Sequence, residues 1–115
     1  MRHENTIVYL KCMQLMETAR VAIGQFPAGF DFLAKQLRKN TASVAHNFAE
    51  GYYNDSRAQQ RRYFGYSIQS AREASMSFDT ALAFGICRDA TVLRGKGLAL
   101  DVVRILSKWA RKPES

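Results

Sequence analysis

Apolar residues return at steps of three and four through four separate stretches of this chain, and each series ends at a proline, a glycine or a short polar run. A helix completes a turn in 3.6 residues, so this period marks helices that each turn one face inward. The spacing predicts a first helix from about Asn5, whose side chain can cap free amides, with Ile7, Leu10, Met13 or Met16, Ala19 or Arg20, Ile23 and Phe26 facing in. Pro27 ends it, because proline has no amide hydrogen and forces the residue before it out of helical angles. A second helix opens near Asp31 with Leu33, Leu37, Asn40 or Thr41, Val44 and Phe48 on one stripe, and Gly51 is expected to close it. The third is capped by Asp55 or Ser56 and carries Phe64, Ser67 or Ile68, Ala71, Ala74 or Ser75, Phe78 and Leu82 up to Gly85. The fourth, capped by Asp89 or Thr91, carries Leu93, Leu100, Val103, Leu106 and Ala110, with Val102, Ile105 and Trp109 widening the stripe. Gly95 and Gly97 each cost about 1 kcal/mol against alanine inside a helix, so its first two turns are expected to fray or bend. The predicted helices cover residues 5–26, 31–50, 56–84 and 90–111. Short connections make neighbours antiparallel, and the expected fold is an all-α, up-down-up-down four-helix bundle in one domain, residues 1–115.

Composition agrees with helices: two prolines and seven glycines in 115 residues are too few for a β-rich or linker-rich chain, and 47% hydrophobic content supports a core. The opening MRHENTIVYLKCMQLM interrupts its apolar run with charges, which argues against a signal peptide or a membrane span and for a cytoplasmic protein. Cys12 and Cys87 stand singly in apolar patterns and read as buried thiols. Seventeen basic residues against ten acidic ones give a net charge of +7, and the excess is concentrated. Leu33 to Arg72 holds seven basic and two acidic residues, and Arg88 to Lys112 holds the same numbers. An anionic partner is the expectation from such an excess.

Polar residues recur in the middle of the chain. Ser43, Asn47 and Glu50 share a face of the second helix, and Ser70 and Glu73 lie on the third. The reading from residue types is a buried polar network that fixes the register of these two helices, in which Asn47, Ser70 and an arginine satisfy Glu50 or Glu73. Catalysis finds little support: Ser43 and His46 are three apart, but no third partner or oxyanion loop accompanies them. His3 and His46 have no neighbour at metal-ligand spacing, and the Glu-x-x-His pairs of a di-iron bundle are missing around Glu50 and Glu73, so neither metal nor cofactor is expected. Arg57, Arg61 and Arg62 cluster with Tyr52, Tyr53, Tyr63 and Phe64 around the turn between helices two and three, where they could hold phosphates and stack bases. The competing reading is a solvated helix start with Tyr63 and Phe64 turned inward. Three arginines within the first two turns oppose the dipole of their own helix, which disfavours a purely stabilising role. A second basic stripe, Arg104, Lys108 and Arg111, repeats at four and three on the last helix, and its position relative to the first cluster is open at this level.

The stretch QLRKNTASVAHNFAEG, Gln36 to Gly51, resembles the signature Q-[IL]-R-R-x-x-x-S-[IV]-x-x-N-[IF]-A-E-G of four-helix-bundle proteins encoded in intervening sequences of large-subunit ribosomal RNA. Phe64 followed by Ser70-Ala71-Arg72-Glu73, and the Phe26-Pro27 pair, are similar to further segments of that family. The accessory variability determinant proteins of diversity-generating retroelements are similar in fold and form rings of five. The resemblance therefore implies a ring, a homopentamer, with a basic surface for nucleic acid and a partner reverse transcriptase. The expected function is a non-enzymatic oligomeric bundle that binds RNA or DNA through Arg57, Arg61, Arg62, Arg104, Lys108 and Arg111. The alternative is an accessory scaffold that docks an acidic protein, such as an element-encoded reverse transcriptase.

Overall fold

A computed structural model describes residues 6–111. Four helices, α1 (Ile7–Gln25), α2 (Asp31–Tyr52), α3 (Arg57–Ala83) and α4 (Asp89–Arg111), pack side by side into a rod of 50 × 21 × 20 Å. Each helix lies against the next, and α4 returns against α1 to close the bundle. The core runs along the axis through Val8, Cys12, Leu15, Leu37, Val44, Phe48, Phe78, Val92, Val102 and Leu106, all buried. Both cysteines are buried free thiols, and burial pushes the Cys12 thiol up to about 12. No described helix is long and apolar enough to cross a membrane.

The α2 stripe is as its period predicts: Leu33, Leu37, Asn40, Thr41, Val44 and Phe48 are all buried. The α1 stripe is so only in its second half, where Ala19 is buried and Ile23 and Phe26 pack against the core. Ile7, Leu10 and Met13 are exposed, and Val8, Cys12, Leu15, Ala19 and Ala22 face in. Apolar residues surround α1, so period alone does not select a face. Leu82, Leu93 and Leu100 are likewise exposed, while Ala81, Val92 and Ala99 take the interior.

Helix ends match the expected ones within two residues, with some different agents. Asn5 lies outside the described residues, and Thr6 caps α1 by accepting a bond from the Tyr9 amide at 3.0 Å. Ser56 caps α3 through the Gln59 amide, and Gly85, at φ +68°, supplies the left-handed turn after α3. Gly51 does not close α2, which continues to Tyr52. It serves close approach instead: a Cβ there would lie 2.7 Å from the Phe64 ring. Gly95 works in the same way against Phe78, inside an α4 that is helical from Asp89 onward rather than frayed over its first turns. The start of α4 is held by Gln25, whose Oε1 accepts from the Arg88 amide at 2.8 Å and whose Nε2 donates to the Thr91 hydroxyl at 3.1 Å.

Candidate nucleic-acid interface

The end of α2, the start of α3 and the end of α4 meet at one tip of the rod. Phe48, Phe64 and Trp109 bring their rings within 6.2 Å of one another there, and Tyr52 joins Phe48 at 5.7 Å. This apolar floor fixes the backbone on which the charged residues stand. Phe64 is buried beneath Gly51 and cannot stack a base, so the inward reading holds for it, whereas Tyr53 is exposed and Tyr63 half-buried.

The turn is tied by its own polar groups. The Ser56 amide donates to Asn54 Oδ1 at 3.0 Å, and Gln60 Nε2 donates to the Asn54 carbonyl at 2.9 Å. Gln60 Oε1 in turn accepts from Arg57, whose guanidinium also donates to the backbone carbonyl of Trp109. Arg57 opposes the dipole of α3, but it sits on the negative end of α4, where a cation satisfies carbonyls left without helical partners. This contact joins the two basic segments, so the start of α3 and the last turn of α4 share one tip.

Within that tip the six candidate residues have different surroundings. Arg57 is engaged on α4, and Arg61 is half-buried. Arg62 is exposed and donates to the Tyr66 hydroxyl at 2.8 Å, with its guanidinium 5.7 Å from that ring's centroid. Arg104 is exposed but paired with Asp101 at 2.7 Å, and Lys11 reaches the same carboxylate at 3.0 Å. Lys11 first, then Arg104, hold the Asp101 carboxyl below its usual range. Lys108 and Arg111 are exposed, and neither has an ion-pair partner among the described residues. Together with Ile7, Lys11, Val103, Ile105 and Ser107 they line an open groove of about 540 Å³ between α1 and α4. Asp101 and Arg104 complete the lining, which so holds four cations, one carboxylate and the aliphatic Ile7, Val103 and Ile105.

The expected buried network between α2 and α3 is not there. Glu50 and Glu73 are exposed, Ser43, Asn47 and Ser70 are half-buried, and Asn47 Nδ2 donates to the Ser43 carbonyl within its own helix at 3.0 Å. Glu73 accepts from Gln69, one turn away. A buried hydroxyl links the helices instead: Ser67 Oγ donates to the Val44 carbonyl at 2.7 Å. Ser67 stands between Phe64 and Ala71 on the inward stripe, so a polar residue at an apolar position was the available signal. Gln60 was missed because its role depends on two partners distant in sequence, and Tyr66 although it lies one turn beyond Arg62.

No curated protein registers as a match to the chain. A family of proteins does: that described as 23S rRNA-intervening sequence protein matches residues 4–108, nearly the whole chain and all of α1, α2 and α3. With its four antiparallel helices and the Gln36–Gly51 segment in α2, the chain belongs to the 23S rRNA-intervening sequence protein family.

Proposed function

We propose that this protein is a non-enzymatic, cytoplasmic, ring-forming bundle, a homopentamer, that binds RNA or DNA through the basic tip. The observation that carries the reading is the contact of Arg57 with the Trp109 carbonyl, since it gathers two separately basic segments at one end of a 50 Å rod. Lys108 and Arg111, with no ion-pair partner among the described residues, are the groups best suited to phosphates, and Arg62 adds a third. Arg104 contributes less because Asp101 already neutralises it. Arg57 and Arg61 support the tip more than they touch the ligand. Exposed Leu10, Met13 and Leu100 offer apolar surface for neighbouring subunits, and a ring multiplies a weak tip into a strong one through effective concentration.

Fluorescence anisotropy with labelled single-stranded and duplex RNA, over a salt series, tests the reading. Changing Arg62, Lys108 and Arg111 to glutamine is expected to weaken binding to both and to flatten the slope of log affinity against log salt by about 0.7 to 0.9 per phosphate lost. Changing Lys35 and Arg88, near the opposite end, is the control. Absence of binding at low salt, or equal effects of the two sets, would favour the protein scaffold, which a pull-down with mass spectrometry would then identify.

A further inference from the structure

The proposed tip contains one feature that a phosphate-binding surface does not explain. His46, Ala49, Glu50, Tyr53 and Asn54 line a depression of about 320 Å³ over the last turns of α2. Residues 46, 49, 50 and 53 recur at helical steps, so they share one outward face, and the small Ala49 makes the dent between larger neighbours. Glu50 is exposed in this depression and has no ion-pair partner among the described residues. An uncompensated carboxylate repels a polyanion. It becomes an asset only if it meets hydrogen-bond donors that the polyanion itself carries.

We infer that this depression takes one unpaired guanine base of the bound strand, a conclusion that rests on the nucleic-acid reading above. The lining supplies what such a base needs. Tyr53 is 58% exposed, which leaves ring surface for stacking, and the edge-to-face contact with Tyr52 at 5.3 Å orients it. Asn54 is held by the bonds from Ser56 and Gln60, which use its Oδ1 and its carbonyl and leave its Nδ2 donor for a ligand. Glu50 offers two acceptor oxygens and Asn54 a donor. Guanine presents two adjacent donors, N1–H and N2–H, beside the O6 acceptor, and so matches this arrangement. Adenine and cytosine each turn a ring-nitrogen acceptor toward the carboxylate, and uracil has a single donor between two carbonyls. A paired guanine has this edge occupied, which restricts the site to single strands, loops or bulges. The same turn that holds Asn54 continues through Gln60 to Arg57 and the end of α4, so base site and phosphate site are parts of one tip.

The test uses single-stranded 12-mers of adenine and uracil, with guanine or adenine at one central position, titrated into the intact protein at several salt concentrations. The guanine strand is expected to bind about tenfold tighter, in line with one good bidentate contact, with the same salt slope. Glu50→Gln should abolish the preference and strengthen binding of the adenine strand, because it removes a repulsive charge. Tyr53→Ala should weaken the guanine strand by about tenfold, and Tyr53→Phe should retain binding by keeping the ring. Equal affinities for the two strands with a steep salt slope, or a preference that survives Glu50→Gln, would overturn the guanine site and leave the phosphate-binding tip standing. No binding of either strand at low salt would overturn both. Guanosine monophosphate binding as tightly as the 12-mer would also overturn the assignment to a strand, since the ligand would then be a free nucleotide.

Discussion

Replacing Gly95 and Gly97 by alanine, one at a time, separates helix propensity from packing within two residues of the same helix. Both changes should stabilise α4 by about 1 kcal/mol on propensity alone. A Cβ at Gly97 meets nothing within 4 Å, so that gain stands. A Cβ at Gly95 would lie within 2.6 Å of three atoms of the Phe78 ring. Phe78 is fully buried, so its ring cannot swing into solvent. Forcing a methyl into such a core costs about 1 to 3 kcal/mol, and this contact is too close for the lower figure. Taking about 3 against a gain of about 1 leaves Gly95→Ala less stable by roughly 2 kcal/mol. At about 4 °C per kcal/mol for a chain of this size, Gly97→Ala should melt about 4 °C higher and Gly95→Ala about 8 °C lower. Thermal unfolding by circular dichroism, at one fixed protein concentration because association shifts the midpoint, measures both. Phe78→Leu makes room at the ring tip, so the double variant with Gly95→Ala should be at least about 1 kcal/mol more stable than the sum of the single changes. If Gly95→Ala raised the melting temperature as Gly97→Ala does, the close approach of α4 to Phe78 would be wrong.

Further outcomes follow from individual contacts. Ser67→Ala should destabilise by about 1 kcal/mol through loss of the buried bond to Val44, whereas Asn47→Ala should cost under about 0.5 kcal/mol because its bond stays within α2, and denaturant titration of the pair checks this. Arg57→Gln should lower stability by about 1 kcal/mol by removing the cation from the end of α4, read in the same titration. Cys12 has its folded pKa raised to about 12 by burial, so it favours folding fully below the thiol's unfolded value near 9 and loses that contribution as pH rises toward 12. Between pH 9 and 11 the parent protein should lose stability faster than Cys12→Ala, by up to about 1.4 kcal/mol per pH unit. Size-exclusion chromatography with light scattering should give close to five times the 13.0 kDa mass of one chain, and a monomer would remove the ring.

The parts of this fold that could be read from residues alone are those where one face of a helix is polar. On α2, charged and amide residues alternate with Leu33, Leu37, Val44 and Phe48, and period selects the buried stripe without ambiguity. On α1 the apolar residues extend round the helix, so Ile7 satisfied the same period as the residues that pack, whereas on α4 Leu93 and Leu100 stand one position beyond the buried Val92 and Ala99, at the edge of the stripe. Gly51 and Gly95 resembled a terminator and a flaw because a glycine's use in close approach depends on the ring opposite, Phe64 or Phe78, which belongs to another helix. The exposure of Glu50 and Glu73 had the same origin: a small rotation of α2 or α3 decides whether these carboxylates face a neighbour or water. The basic residues were visible as two runs, but their union at one tip rests on Arg57 reaching Trp109 across 52 positions of sequence.

Hydrogen–deuterium exchange of the intact protein, with and without a saturating single-stranded RNA, tests the nucleic-acid tip most directly, because it reads every helix at once without altering a residue. Slowed exchange is expected in segments covering residues 50–62 and 104–111, at the end of α2, the start of α3 and the last turns of α4. Residues 26–33 and 84–90, at the other end of the rod, should be unchanged. Protection confined to that opposite end, or no protection anywhere while the RNA is bound, would contradict a nucleic-acid interface at the basic tip.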